Sequence, residues 1–182
     1  SAEAFDAVAA HGLTCVQFNF ETVGMSDMPD RFDPDRCRRI REELASRGLF
    51  MAAVSGTFNM IHPDVEERRS GMSRLRALAG ACAELGTSVI TLCSGTRSEQ
   101  SMWQAHPGNA QPDAWRDLIA AMKEAVDIAA EHGVIVAFEP EVSNVADSAP
   151  KSRRLLDEIS SENLQVVMDG ANIFHEGELP RM

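Results

Sequence analysis

No run of about eighteen consecutive apolar residues occurs in this chain, which excludes a helix that spans a bilayer. Positive charge is also scarce: 17 Lys and Arg stand against 28 Asp and Glu, for a net charge of −11. The arginines lie on candidate helix faces between acids (Arg36, Arg38, Arg39, Arg41; Arg68, Arg69, Arg74, Arg76), without an uninterrupted basic run. A phosphate backbone needs a field of the opposite sign, so no nucleic-acid partner is expected. The four cysteines, Cys15, Cys37, Cys82 and Cys93, have neither CxxC nor metal-finger spacing. Cys15 and Cys93 fall in apparent strands and Cys82 in a helix, so buried, reduced thiols and a cytoplasmic location are expected. No GxGxxG follows a strand and no GxxxxGK[ST] is present, which removes the usual dinucleotide and P-loop signatures. The start, Ser1-Ala-Glu-Ala-Phe-Asp6, has no basic or apolar leader region, and no signal peptide is expected there.

What is present is a repeated phrase of helix, stop and strand. Residues 2–10 have helical spacing and stop at His11-Gly12 before the strand-like Leu13-Thr-Cys-Val-Gln-Phe-Asn-Phe20. Asp33-Pro34 starts a helix that ends at Gly48, followed by the strand Leu49–Ser55. A long helix, Val65 to Leu85, ends at Gly86 before Ser88–Cys93; another, begun near Pro112-Asp113, ends at His132-Gly133 before Val134–Glu139. The last strand, Leu164–Asp169, follows helical spacing over Lys151–Ile159. Connections into strands are short, whereas those out of strands are long and carry His, Trp, Asn and acids, as in a (β/α)8 barrel. Five strand candidates fall short of eight, and the chain opens on a helix. The expectation is one partial TIM-barrel domain over 1–182, lacking about the first strand and the last two or so.

Two of these strands carry the chemistry. Gly133-Val-Ile-Val-Ala-Phe-Glu-Pro140 and Leu164-Gln-Val-Val-Met-Asp-Gly-Ala-Asn172 are β-branched apolar runs that each end on a carboxylate. A right-handed crossover sets the two strands side by side, so Glu139 and Asp169 are expected at one mouth of the sheet. Close carboxylates repel unless a proton or cation relieves them, and oxygen ligands suit hard divalent ions. Alternatively, each acid is a solvated loop residue or a helix cap.

These runs, with Gly12-Leu-Thr-Cys-Val-Gln-Phe18, Gly56-Thr-Phe-Asn-Met-Ile-His-Pro63, Gly95-Thr-Arg97 and Asn172-Ile-Phe-His175 in the same order, resemble the sugar phosphate isomerase/epimerase family with the xylose-isomerase-like TIM barrel. The resemblance implies one divalent metal, Mn, Mg, Co or Zn, held by Glu, Asp, His and Glu. Glu139 and Asp169 match the first two, and the others would lie beyond Met182. It further implies metal-dependent proton transfer between adjacent carbons of a small carbohydrate through an enediolate, with Glu139 as both ligand and acid/base. The 182-residue chain alone is then expected to be inactive. Asn172 stands where relatives acting on free ketoses often have His, so the sugar and its phosphorylation stay open; His175 either compensates or starts a surface helix.

Other candidates for substrate contact are Asn59 and His62, the latter alternatively fixing a turn beside Pro63. Trp103 and His106 lie in the long loop after the predicted strand Ser88–Cys93, where an aromatic lid over a sugar face is weighed against simple packing. Arg97 either meets a phosphate or is solvated. Other readings are an inosose-type dehydratase, an apurinic-site endonuclease-like hydrolase, or a non-catalytic sugar-binding fragment. A homo-oligomer is left open.

Overall fold

The computed structural model describes residues 2–172. Five strands, β1 (Cys15–Phe18), β2 (Phe50–Ser55), β3 (Val89–Cys93), β4 (Ile135–Glu139) and β5 (Leu164–Val166), form one sheet in the order β1-β2-β3-β4-β5. Every neighbouring pair is parallel. The helices are α1 (Ala2–Ala10), α2 (Pro34–Ala45), α3 (Val65–Leu85), α4 (Pro112–His132) and α5 (Ala149–Ile159), with 3-10 turns at Phe20–Val23 and Pro107–Ala110. Strand order that never reverses separates this arrangement from a doubly wound sheet. It is an incomplete (β/α)8 barrel, with five strands and five α-helices among the described residues.

Local chemistry sets the boundaries. Asp33 caps α2 by accepting from the Asp35 N–H, with Pro34 at the first helical position, and Asp64 caps α3 through the Glu66 N–H. Such a cap stabilises a helix by about 1 kcal/mol. Gly86 and Gly133 close α3 and α4 with φ of +76° and +65°, a left-handed turn that other residues adopt only under strain. Each then delivers the chain to a strand.

Ile90 and Leu92 of β3 and Val136 and Phe138 of β4 join Leu75, Leu78, Leu118 and Met122 of α3 and α4 in the core. Phe138 is fully buried, worth about 1.5–3 kcal/mol relative to exposure. Cys93 and Glu139, register partners at the C-terminal ends of β3 and β4, have the opposite strand parity. Packing of one parity against the helices leaves the other to face the inside of the barrel, and their place at the strand ends sets Cys93 and Glu139 at its mouth.

Two expectations are corrected. Cys15 is exposed, because β1 is the edge of the sheet among the described residues; Cys37, Cys82 and Cys93 are buried as anticipated. β5 ends at Val166, three residues before Asp169. The Val167 N–H still donates to the Phe138 carbonyl at 2.9 Å, but the next rung needs an N–H from residue 140, which is proline. No helix among the described residues is long and apolar enough to cross a membrane.

Candidate active site

β4 ends on Glu139, and the chain leaving β5 alongside it turns at Asp169, whose Oδ1 accepts the Ala171 N–H at 2.8 Å. This turn presents the Asn172 amide, which donates from Nδ2 to Glu139 Oε1 at 2.7 Å. Burial pushes the Glu139 carboxyl above the ordinary glutamate range, and the facing Asp169 carboxyl raises it further through repulsion and a shared hydrogen bond. The Asn172 amide opposes the rise. Two carboxyl groups from adjacent strand exits therefore stand near enough for the charge of Asp169 to raise Glu139, one oxygen of each being held by a neighbouring N–H.

Glu139 opens into a cavity of about 410 Å³ that is also lined by Thr57, Cys93, Trp103, Glu141 and Asn172. Glu141 Oε2 accepts the Ser143 N–H at 3.0 Å. Burial pushes the Cys93 thiol up to about 12, with Glu141 and Glu139 adding to the rise, so it stays protonated and is no nucleophile at neutral pH. Trp103 remains 58% exposed at the rim.

The Glu139–Asp169 donor set fits a hard divalent ion as two of its ligands, since the charge of the ion would remove the repulsion that lifts Glu139. Among the described residues no group of three or more His, Cys, Asp and Glu is arranged to hold a metal. The pair thus offers part of a coordination shell.

The structure gathers Glu139, Asp169, Asn172 and Trp103, and places the other candidates elsewhere. Asn59 clasps the loop after β3, donating to the Thr96 carbonyl at 2.9 Å and accepting the Thr96 N–H at 2.9 Å. His62 Nδ1 accepts the Asp64 N–H at 3.1 Å, in the turn beside Pro63. Arg97 reaches Asp113 at 3.1 Å and Asp117 at 2.8 Å, and donates to the Ile61 carbonyl at 3.2 Å. Burial would raise the Asp117 carboxyl, but hydrogen bonds and charge from Arg97 and Arg68 outweigh it and hold the group below the usual range. Arg97 and His106 line a separate cavity of about 500 Å³, where His106 Nδ1 accepts the Gly108 N–H at 3.0 Å. His175 lies outside the described residues.

Sequence reasoning missed Thr57 and Cys93 as lining residues. Cys93 carried a signal, since it ends a strand with the parity of Glu139. It also missed Asn109 and Asn144, whose amides bridge loops distant in the chain. A loop asparagine shows no pattern in a single sequence.

Residues 5–182 match the family described as xylose isomerase-like TIM barrel. Among solved structures, 3-keto-D-glucoside 4-epimerase from E. coli shares 16% identity at a TM-score of 0.74, covering 96% of this chain and 65% of its own. A probable 3-DHS dehydratase from Bacillus anthracis gives 15% and 0.73, with coverage of 96% and 59%. A xylose isomerase-like TIM barrel protein from Mycobacterium smegmatis in complex with magnesium gives 14% and 0.68, with 94% and 56%. The chain thus spans 56 to 65% of the length of these three proteins. No curated protein matches the sequence.

Proposed function

This chain belongs to the xylose isomerase-like TIM barrel family, and from that premise we propose that it serves a divalent-metal-dependent isomerase or epimerase acting on a small carbohydrate. The observation that supports the reading is the meeting of Glu139 and Asp169 from consecutive parallel strands beside a cavity rimmed by Trp103. Glu139 and Asp169 are the residues that would hold the ion. When bound, such an ion supplies Lewis acidity toward the oxygens of an α-hydroxy-carbonyl group.

The rest falls to side chains of the protein. Glu139 is raised toward the working range of a general base, so its carboxylate can take a proton from the carbon beside a carbonyl and return it to the neighbouring carbon. Asn172 fixes the rotation of that carboxylate by holding Oε1, leaving Oε2 for the ion or the substrate. Trp103 supplies an apolar wall against which the C–H face of a sugar can lie.

The reading is tested by melting the metal-stripped chain with and without Mn²⁺. Binding at about one hundred times Kd stabilises by about 2.7 kcal/mol, and a rise in Tm of several degrees is expected. Glu139→Gln with Asp169→Asn should abolish the rise; an equal rise in that double variant overturns the assignment. Longer protein containing this segment, incubated with ketoses in D₂O, should exchange the hydrogen beside the carbonyl and yield an isomer. Loss of water in its place would favour the dehydratase reading.

A further inference from the structure

We infer that Asn144 is a positioning residue that holds the Trp103 indole as a fixed platform at the rim of the cavity. The inference rests on the proposed carbohydrate function for its ligand class, a polyhydroxylated molecule with an apolar C–H face.

Asn144 is 2% exposed and lies in the loop after β4, shortly beyond Glu139. Both halves of its amide reach across to the loop after β3. Oδ1 accepts the Gly95 N–H at 2.8 Å, and Nδ2 donates to the carbonyl of Met102, the residue before Trp103, at 2.9 Å. The same junction is closed by the Val145 N–H on the Gly95 carbonyl at 3.0 Å and the Ala146 N–H on Ser94 Oγ at 2.9 Å.

The far end of the loop is fixed as well. Asn109 accepts the Arg97 N–H at 2.8 Å and donates to the Ser143 carbonyl at 2.8 Å. Asn59 fixes the near end through Thr96. Three asparagines therefore pin a loop whose one large aromatic side chain, Trp103, is left 58% exposed. An exposed indole gains little from folding, and a backbone pinned beneath it gains nothing from burying it. The arrangement makes sense for binding, because a platform fixed in advance loses less freedom when a ligand stacks on it. The bond from Asn144 to Met102 is the fixing nearest the indole, and it ties the platform to the loop that follows the acid/base Glu139. Asn144 thus sets the height of the platform relative to the reacting carbon without touching either.

The test uses the full chain with Trp115→Phe, which leaves Trp103 as the sole tryptophan, since the sequence has 2. Asn144→Asp keeps the acceptor for Gly95 and loses the donor to Met102; Asn144→Ala loses both. Both variants should lower the fluorescence anisotropy of Trp103 and increase its quenching by acrylamide. Asn163→Ala removes a comparable bond to the Val134 carbonyl at the opposite end of the sheet; it should lower Tm and leave both signals unchanged. If Asn144→Ala fails to fold, Asn144→Asp decides the matter. Unchanged anisotropy and quenching in a folded Asn144→Asp protein overturn the inference. A sugar arm separates its failure from that of the proposed function. Titration with D-fructose, D-xylulose and myo-inositol should perturb Trp103 emission, with half-saturation rising about three- to tenfold in Asn144→Asp, the span of one ordinary hydrogen bond. If no sugar perturbs emission while anisotropy responds to Asn144, the carbohydrate reading of the cavity is overturned and the positioning role stands.

Discussion

At the residue scale, Glu139 is defined by opposing influences on one proton. Burial and the Asp169 carboxyl favour the protonated form, while the Asn172 amide favours the anion, and the net shift is upward. A carboxyl whose value is raised on folding contributes fully to stability below its unfolded value and loses that contribution as pH rises through the folded value. Glu139→Gln stays neutral throughout and its carbonyl can still accept from Asn172. The metal-free variant should therefore be more stable than the parent at pH 8, with the difference shrinking to nothing near pH 4, about the unperturbed glutamate value. Urea denaturation at the two pH values checks this; an advantage that persists undiminished at pH 4 would place its origin in packing rather than ionisation. Glu139 was legible in the sequence because an apolar run that ends on an acid is a pattern. The bonds of Asn59 were not, because its partners are backbone groups 37 and 39 residues away, and any residue type supplies those.

At the scale of elements, glycine stops and helical spacing gave α3 and α4 at their observed bounds and placed all five strands. The 3-10 turns at Phe20–Val23 and Pro107–Ala110 escaped notice because such short segments have no apolar period. The end of β5 was misplaced for a different reason: the apolar run continues to Met168, but pairing is decided by the neighbouring strand, where Pro140 has no N–H to give. How tightly α3 packs was equally hidden. Gly71 lies in mid-helix, where alanine would ordinarily gain about 1 kcal/mol. A Cβ there would come within 2.7 Å of Phe58 Cγ, in the loop after β2, and the ring would have to move. Overpacking of this kind costs about 1–3 kcal/mol. Gly71→Ala should therefore destabilise the fold by up to about 2 kcal/mol after the helix gain is subtracted. A urea midpoint equal to or above that of the parent would show that Phe58 yields freely.

At the scale of the whole molecule, the same strand order that gathers the carboxyl groups at one end makes β1 a sheet edge among the described residues, and the cysteines report on that architecture. Cys37, Cys82 and Cys93 are buried. Burial pushes Cys82 and Cys93 up to about 12, and burial followed by the charge of Asp33 raises Cys37. Only a thiolate attacks a disulfide reagent, so these three are protected both by access and by protonation. Cys15 is exposed, opposite Phe50, itself 59% exposed. The native 182-residue chain should therefore release about one equivalent of chromophore from an aromatic disulfide reagent quickly, and all 4 thiols should react in denaturant. Cys15→Ser should remove the fast equivalent and leave the slow ones unchanged. Two or more fast thiols in the native chain would mean that the α2 and α3 layer opens readily. No fast thiol at all would mean that the β1 edge is covered, and the reagent would then distinguish cover by a second copy from cover within the chain, because only the former yields to dilution.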